Sequence, residues 1–281
     1  MTVRPFRSAL YIPGSKDRAL DKARTLPVDA ILFDLEDAVA MDEKVGARNT
    51  LKEALDTGYG SRYKIVRING LDTQWGHDDA AAVAGMACDA VLLPKVNSPA
   101  DIDALAAITG DLPIWCMMET PLGVINAAAI AAHPKVEGFV LGTNDLAKDL
   151  NTRKGQRREP LLYALQACLM AARAHGVIAI DGVYNAFKDD EGLKEECEQG
   201  RDMGFDGKSL IHPAQVEITN AAFAPSEAEI ELAQRQIAAF EEAEKNGLGV
   251  AVVDGKIVEN LHIVTARATL AKADAIAALE K

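Results

Sequence analysis

Short apolar runs, most of them ending on a polar or charged residue, recur along the first three quarters of this chain, with helix-like segments between them. Such runs are typical of strands buried on both faces of a parallel sheet. The eight predicted strands are 8–12, 30–33, 64–68, 90–93, 114–118, 136–141, 177–181 and 207–211. Alternation of this kind predicts an α/β fold, a (β/α)8 TIM barrel, whose chemistry lies at the carboxyl ends of the strands.

The pattern changes after Pro225. Ser226 and Glu229 predict a helix capping box, and apolar residues then recur at helical spacing to residue 245. Residues 250–258 predict a two-stranded hairpin with a type I′ turn at Asp254-Gly255, before a last, alanine-rich helix. We therefore expect a TIM-barrel catalytic domain at 1–224 and a helix-hairpin-helix lid or oligomerisation extension at 225–281.

Two carboxylates follow neighbouring buried strands of this pattern. Glu119 ends the fifth strand, and Asp145 follows the sixth in the run Gly142-Thr143-Asn144-Asp145. Adjacent parallel strands would bring both acids to one edge of the barrel. A pair of carboxylates suits Mg²⁺, which prefers oxygen ligands and usually takes only one or two of them from protein.

Further charged residues follow the second and third strands. We interpret Asp34, Glu36 and Asp37 as a platform behind the metal site, because more carboxylate ligands would leave Mg²⁺ overcharged and closed to substrate. Arg67 has apolar neighbours at a strand end, where an unpaired guanidinium is costly. Its partner is either a substrate carboxylate or a structural ion pair with Asp34 or Glu36.

A basic cluster stands out against the composition of the chain, whose formal net charge is −12. Its members are Lys16, Arg18, Lys22 and Arg24, in a segment that Ser15 could cap as a helix. The cluster is either a solvated helix face or the site of a phosphate-bearing ligand. The acidic balance otherwise argues against nucleic-acid and anionic-membrane partners.

Two further features bear on the setting of the protein. No run approaches the roughly 20 apolar residues of a membrane span, and the N-terminus lacks a signal-peptide core. The four cysteines are scattered without close pairing, which favours reduced core thiols over disulfides or a zinc site. We expect a cytoplasmic protein.

Seven short motifs carry a resemblance to a known family. They are Leu10-Tyr11-Ile12-Pro13-Gly14-Ser15, Asp34-Leu35-Glu36-Asp37, Val66-Arg67-Ile68-Asn69, Leu93-Pro94-Lys95, Glu119-Thr120-Pro121, Gly142-Thr143-Asn144-Asp145-Leu146 and Ile211-His212-Pro213. In this order the chain resembles the citrate lyase beta-subunit-like family of CoA ester lyases. That family includes malyl-CoA and citramalyl-CoA lyases and malyl-CoA thioesterases.

The resemblance implies roles for individual residues. It implies that Glu119 and Asp145 bind Mg²⁺. The implied substrate and CoA contacts are Tyr11, Lys16, Lys22, Arg67, Asn144, Ile211 and Pro213. Family members are typically homotrimers or hexamers in which the C-terminal segment caps a neighbouring barrel and supplies a catalytic aspartate. The matching position here holds Glu259.

The resemblance also implies a reaction. We expect a Mg²⁺-dependent lyase that cleaves a 3-hydroxyacyl-CoA, such as malyl-CoA or citramalyl-CoA, to acetyl-CoA and a 2-oxo acid, with Arg67 and Glu259 as catalytic residues. Glu259 departs from the family aspartate, so hydrolysis of malyl-CoA to malate and free CoA is an alternative. A partner-dependent citryl lyase subunit of citrate lyase is a further one. A related 2-oxo acid aldolase family is disfavoured, because its acid/base histidine is expected near Asp37.

Overall fold

The computed structural model describes residues 4–153 and 158–280. Within them, eight parallel strands close into a barrel in chain order, and the eighth pairs with the first. The barrel strands are β1 (Ser8–Pro13), β2 (Ala30–Asp34), β3 (Tyr63–Arg67), β4 (Ala90–Leu93), β5 (Ile114–Met118), β6 (Val136–Leu141), β7 (Ile178–Asp181) and β8 (Gly207–Leu210). The predicted TIM barrel is confirmed, with differences only at strand ends.

Helices follow the strands around the barrel. They are α1 (Asp17–Ala23), α2 (Lys44–Thr57), α3 (Gly76–Val83), α4 (Pro99–Thr109), α5 (Pro121–Ile125), α6 (Ala127–Ala131), α7 (Thr143–Asp149), α8 (Leu162–His175), α9 (Asp190–Met203) and α10 (Val216–Phe223). Short 3-10 turns occur at Glu159–Leu161 and Pro213–Gln215. Residues 6–222 form one compact unit.

Alternate residues of the strands fill the barrel interior with apolar side chains. Leu32, Ile65 and Ala90 belong to this core and are paired across β2, β3 and β4. Trp115 on β5 is fully buried and pairs with Gly138 on β6. A Cβ atom at Gly138 would overlap the Trp115 indole, so glycine is what allows this large ring to lie inside the barrel.

The second compact unit comprises Arg4 and Pro5 with residues 223–280. Its elements are α11 (Glu227–Lys245), β9 (Ala251–Val253), β10 (Lys256–Val258) and α12 (Asn260–Leu279). The capping box of Ser226 is confirmed, because its hydroxyl accepts from the Glu229 N–H. The type I′ turn is confirmed by φ angles of 50° at Asp254 and 73° at Gly255. A lid or oligomerisation role for residues 225–281 stays a prediction.

Two further predictions concern Ser15, before α1, and the connector at 151–159. Ser15 does not cap α1: the N-cap is Lys16, and the Ser15 hydroxyl instead donates to Glu43 Oε2 at 2.9 Å. A charged acceptor is a stronger partner for the hydroxyl than a backbone amide, which explains the difference. The polar, basic connector predicted at 151–159 includes residues 154–157, which lie outside the described residues.

The sequence also predicts reduced core thiols and no membrane-spanning run. All four thiols are free; those of Cys116, Cys168 and Cys197 are buried, and that of Cys88 is half-buried. Among the helices that the structure describes, none combines the length and apolar character needed to cross a bilayer.

A buried network of charges joins β7 and β8 to the helical layer. Lys208 and Asp181 are fully buried, and Lys208 Nζ lies 3.2 Å from Asp181 Oδ2 and 2.6 Å from Glu196 Oε1. Arg158 Nη1 lies 2.7 and 2.8 Å from the two Asp181 oxygens. Removing one member leaves a buried charge without full compensation, which is costly.

We expect Lys208→Met to lower the free energy of unfolding by about 3–5 kcal/mol, since Asp181 and Glu196 lose a buried cation. The control is Lys194→Met, because Lys194 forms an exposed pair with Glu198 and its loss should cost no more than about 1 kcal/mol. Urea unfolding of both variants measures the difference. Equal, small losses would show that the buried network does not stabilise this part of the barrel.

Candidate active site

One cavity of about 290 Å³ opens at the carboxyl ends of the barrel strands. The predicted metal- and substrate-binding residues that line it are Tyr11, Arg67, Glu119, Asn144, Asp145 and Ile211. They come from β1, from β3, and from the segments directly after β5, β6 and β8. Because the carboxyl ends of the barrel strands share one face, side chains that are far apart in sequence come together in a single site.

Glu119 is the most deeply placed acid of this cavity, with 2% of its surface exposed. Its Oε1 accepts a hydrogen bond from the Lys95 backbone N–H at 2.8 Å. No group among the described residues donates to the other oxygen, Oε2, which lies beside Gly142. A Cβ atom at Gly142 would overlap the Glu119 side chain, so glycine makes the space that this carboxylate occupies.

Burial makes Glu119 hard to ionise in the absence of a cation. It raises the pKa of Glu119 from 4.5 to about 7, against the lowering effect of the Lys95 hydrogen bond. The nearby charges of Glu36 and Asp145 raise it further, and that of Arg67 lowers it. A dry carboxylate with other acids close by is an environment that a divalent cation would stabilise.

Asp145 is the second acid of the pair and lies in the first turn of α7. It is half-buried, and no described group donates a hydrogen bond to its carboxylate. Met118 pairs with Leu141 across β5 and β6, so Glu119 and Gly142 leave the sheet side by side. Across the described residues, no group of three or more His, Cys, Asp or Glu side chains forms a metal-ligand cluster.

Arg67 has carboxylate partners within the protein. Its Nε and Nη2 donate to the two Asp34 oxygens at 2.7 and 2.6 Å, and Nη1 lies 2.9 Å from Glu36 Oε2. The structural ion pair, one of the two alternatives left open from sequence, is therefore present. A guanidinium carries more N–H groups than these contacts use, so contact with a substrate stays a prediction.

Asp34 forms the base of this arrangement. Besides Arg67, its two oxygens accept from the backbone N–H groups of Glu36 and Ala38, both at 2.9 Å. Glu36 is 8% exposed, and burial raises its pKa. These contacts occupy Asp34 fully and direct it towards Arg67, as expected for a platform rather than for a ligand.

Tyr11 packs directly against Arg67. The guanidinium carbon lies 4.8 Å from the centre of the Tyr11 ring, a cation–π contact. The Tyr11 hydroxyl donates to Met117 Sδ at 3.3 Å, and burial raises its pKa. The structure gives Tyr11 a packing role beneath Arg67, and its contact with CoA stays a prediction.

The remaining predicted site residues lie outside the lining of this cavity. Lys16 pairs with Glu43, with Nζ 2.7 Å from Oε1, and Lys22 is exposed in the last turn of α1. Pro213 begins the 3-10 turn after β8. Glu259 belongs to the second unit, where it is the N-cap of α12 and its N–H donates to His262 Nδ1 at 3.2 Å.

Two further contacts shape the site beyond the predicted metal, substrate and catalytic residues. Asn185, in the loop after β7, forms a reciprocal amide pair with Asn144, with N–O distances of 3.2 and 2.7 Å. Lys95 adopts a positive φ of 52°, and its N–H donates to Glu119. Asn185 could have been found by examining more than the first residue after β7 for polar side chains. Nothing local in the sequence predicts the backbone angle of Lys95.

Comparison with known proteins assigns a family to this site. The family model described as HpcH/HpaI aldolase/citrate lyase matches residues 7–213. The chain belongs to this family. The resemblance inferred from the seven motifs is thus confirmed.

Individual members of the family are similar over nearly the whole chain. The (3S)-malyl-CoA thioesterase of Cereibacter sphaeroides is 67% identical over 275 residues, covering 98% of this chain and 96% of that protein. The citrate lyase subunit beta of Leuconostoc mesenteroides subsp. cremoris is 38% identical, covering 96% and 93%. The crystal structure of CitE from Mycobacterium tuberculosis with magnesium, acetoacetate and coenzyme A has a TM-score of 0.83 at 30% identity, covering 97% and 100%.

The main functional expectation from sequence, a CoA ester lyase, is wrong by this comparison. The relatives at 66–67% identity are named as thioesterases, which favours the alternative. Carbon–carbon cleavage and thioester hydrolysis start from the same kind of CoA ester. Motifs shared by the family therefore do not distinguish the two reactions. Which bond breaks depends on where a water and a proton donor lie.

The buried state of Glu119 predicts a pH dependence of stability in metal-free protein. Between pH 4.5 and about 7 the folded chain holds a proton that an unfolded glutamate has lost, so stability falls as pH rises through this window. Glu119→Gln removes this titration. The stability of the variant relative to wild type should grow by about 3 kcal/mol from pH 4.5 to pH 8.

Urea unfolding of both proteins in a metal chelator, at several pH values, measures this difference. Exposed Glu198→Gln is the control for the substitution itself. A difference between Glu119→Gln and wild type that does not change with pH would show that the Glu119 carboxyl titrates normally in the folded chain.

Proposed function

We propose that this chain is a Mg²⁺-dependent thioesterase that hydrolyses (3S)-malyl-CoA to malate and free CoA. The observation that carries the proposal is 67% identity over nearly the whole chain to proteins of that name. A barrel-end cavity with two carboxylates supports it, because this combination suits a small, metal-bound acid group.

Glu119 and Asp145 are the proposed metal-binding residues. Both line the cavity, both offer oxygen ligands, and Glu119 Oε2 and the Asp145 carboxylate accept no hydrogen bond from the described residues. The donor set therefore fits Mg²⁺, which a related CitE structure also contains. When bound there, Mg²⁺ would supply Lewis-acid polarisation of substrate oxygens.

Arg67 is the proposed contact for the acyl part of the substrate. Its head group is held rigidly by Asp34, Glu36 and the Tyr11 ring, so little side-chain entropy is lost when a ligand uses its remaining N–H groups. Asn144, held by Asn185, is a further polar contact at the cavity wall. We assign Lys16 and Lys22, which follow β1, to the phosphates of CoA, with Ile211 and Pro213 beside the same ligand.

Hydrolysis needs few proton movements. A water gives up a proton to a base as its oxygen bonds to the thioester carbonyl carbon. The carbon–sulfur bond then breaks, and the sulfur takes up that proton and leaves as a thiol. We assign proton transfer to Glu259 of a neighbouring copy in a homo-oligomer, where the family aspartate would act. Its longer side chain leaves a different space for the water, which supports hydrolysis as the outcome.

We expect purified protein with Mg²⁺ to release free thiol and malate from (3S)-malyl-CoA in equal amounts, without glyoxylate at any time. A chelator should stop the reaction, and Glu119→Ala should lower kcat/KM by more than about 100-fold, since a metal ligand is lost. Lys194→Ala on the outer face of α9 is the control and should behave as wild type. Thiol, malate and glyoxylate are followed in parallel.

The result that overturns the proposal is glyoxylate formed without free thiol. Lack of any reaction by the chain alone would favour the partner-dependent role, which the 38% identical citrate lyase subunit beta brings into view. Thiol release that Mg²⁺ does not affect would separate the hydrolysis from the proposed metal site.

A further inference from the structure

Lys95 has an unusual backbone conformation for its residue type. Lys95, Asn151 and Asp254 are the non-glycine residues with positive φ in the part of the chain that the structure describes. Asp254 lies in the type I′ hairpin turn, and Asn151 follows the end of α7, where such angles are common for Asn and Asp. Lysine gains no local side-chain hydrogen bond there, so its conformation must be imposed by the surroundings.

Asn97 imposes it. The Asn97 amide Nδ2 donates to the Lys95 carbonyl at 3.0 Å, and Asn97 Oδ1 accepts from the Thr120 hydroxyl at 2.6 Å. Thr120 directly follows Glu119 and caps α5. The Asn97 carbonyl also accepts from Asn126 Nδ2 at 2.8 Å. The turn after β4 is thus tied to the segment that carries Glu119.

The backbone N–H of Lys95, in this turn, donates a hydrogen bond to Glu119. The Lys95 N–H donates to Glu119 Oε1 at 2.8 Å and leaves Oε2 without a donor. One oxygen of a buried carboxylate is therefore held by the protein, and the other is left for a cation. Strained backbone that serves a buried acid in this way is typical of functional sites.

The side chain of Lys95 makes a second contribution. Its Nζ lies 3.6 Å from Glu36 Oε1, and 57% of the side chain is exposed. Arg67 is fixed by bidentate contacts, whereas this ammonium has one long contact and does not line the cavity. It is a movable positive charge beside the acids.

We propose that Lys95 is a positioning residue that sets the divalent-cation affinity of the site through two separable effects. Its N–H fixes Glu119 so that Oε2 is available as a ligand, and this strengthens binding. Its ammonium balances the acidic cluster in the absence of metal, and this weakens binding. The inference rests on the proposed assignment of Glu119 and Asp145 as the metal site.

Three variants of the full chain separate the two effects. Lys95→Gly keeps the N–H and favours positive φ, but removes the ammonium. Lys95→Val also removes the ammonium, but its β-branched side chain disfavours positive φ. Lys95→Arg keeps the charge. The control for net charge is Lys135→Ala. Lys135 directly precedes β6 and pairs with Asp111, which precedes β5.

Calorimetric titration with Mg²⁺ alone, without substrate, gives the affinities. Lys95→Gly should bind Mg²⁺ about fivefold more tightly than wild type, since a nearby positive charge that repels the cation is lost. Lys95→Val should bind at least about tenfold more weakly than Lys95→Gly at the same charge. Lys95→Arg and Lys135→Ala should stay close to wild type. Asn97→Ala, which releases the turn but keeps the lysine, should weaken binding as well.

Equal affinities of Lys95→Gly and Lys95→Val would overturn the role of the backbone, provided that thermal unfolding shows both folded. If Lys95→Val does not fold, Asn97→Ala decides this point. Equal affinities of wild type and Lys95→Gly would overturn the role of the ammonium. Wild type that does not bind Mg²⁺ would refute the whole inference, whereas wild type that binds Mg²⁺ but leaves malyl-CoA intact would refute only the proposed function.

Discussion

The burial of Glu119 is the constraint on which the rest of the site depends. A carboxylate with 2% of its surface exposed is unstable as an anion unless donors or cations compensate it. The chain supplies one backbone N–H from Lys95 and the space left by Gly142. This compensation is incomplete, since burial still raises the pKa of Glu119 to about 7. A divalent cation would supply the missing compensation, and this is the role that we propose for Mg²⁺ at Glu119.

Around this acid the charges fall into two groups with different tasks. Asp34, Glu36 and Arg67 neutralise one another through short, directed contacts and form a rigid wall. Asp145 makes no such contact within the described chain and is free to respond to a ligand. The rigid wall fixes the shape of the cavity, and Asp145 is left to bind a ligand. This division suits a site for a small anionic substrate held by a metal.

The relatives show how one such site serves more than one reaction. Proteins named as thioesterase and as citrate lyase subunit beta match nearly the whole chain, at 67% and 38% identity. A single barrel that recognises an acyl thioester can direct the reaction to carbon–carbon cleavage or to hydrolysis by small changes in water access and proton supply. In the function that we propose, Glu259 is one such change, because its side chain is longer than that of the aspartate that the resemblance implies at this position.

The sequence by itself determined the barrel, its strand order and the acids at its rim, because buried strands and their polar ends have a local, periodic signature. It placed Glu119, Asp145 and Arg67 at or just after strand ends, and they lie there in the structure. Only the tertiary structure decided the partners: that Arg67 bonds Asp34 and Glu36, and that Lys95 is turned to donate to Glu119. Such contacts depend on how neighbouring strands are staggered around the closed barrel, and no pattern along a single segment carries that information.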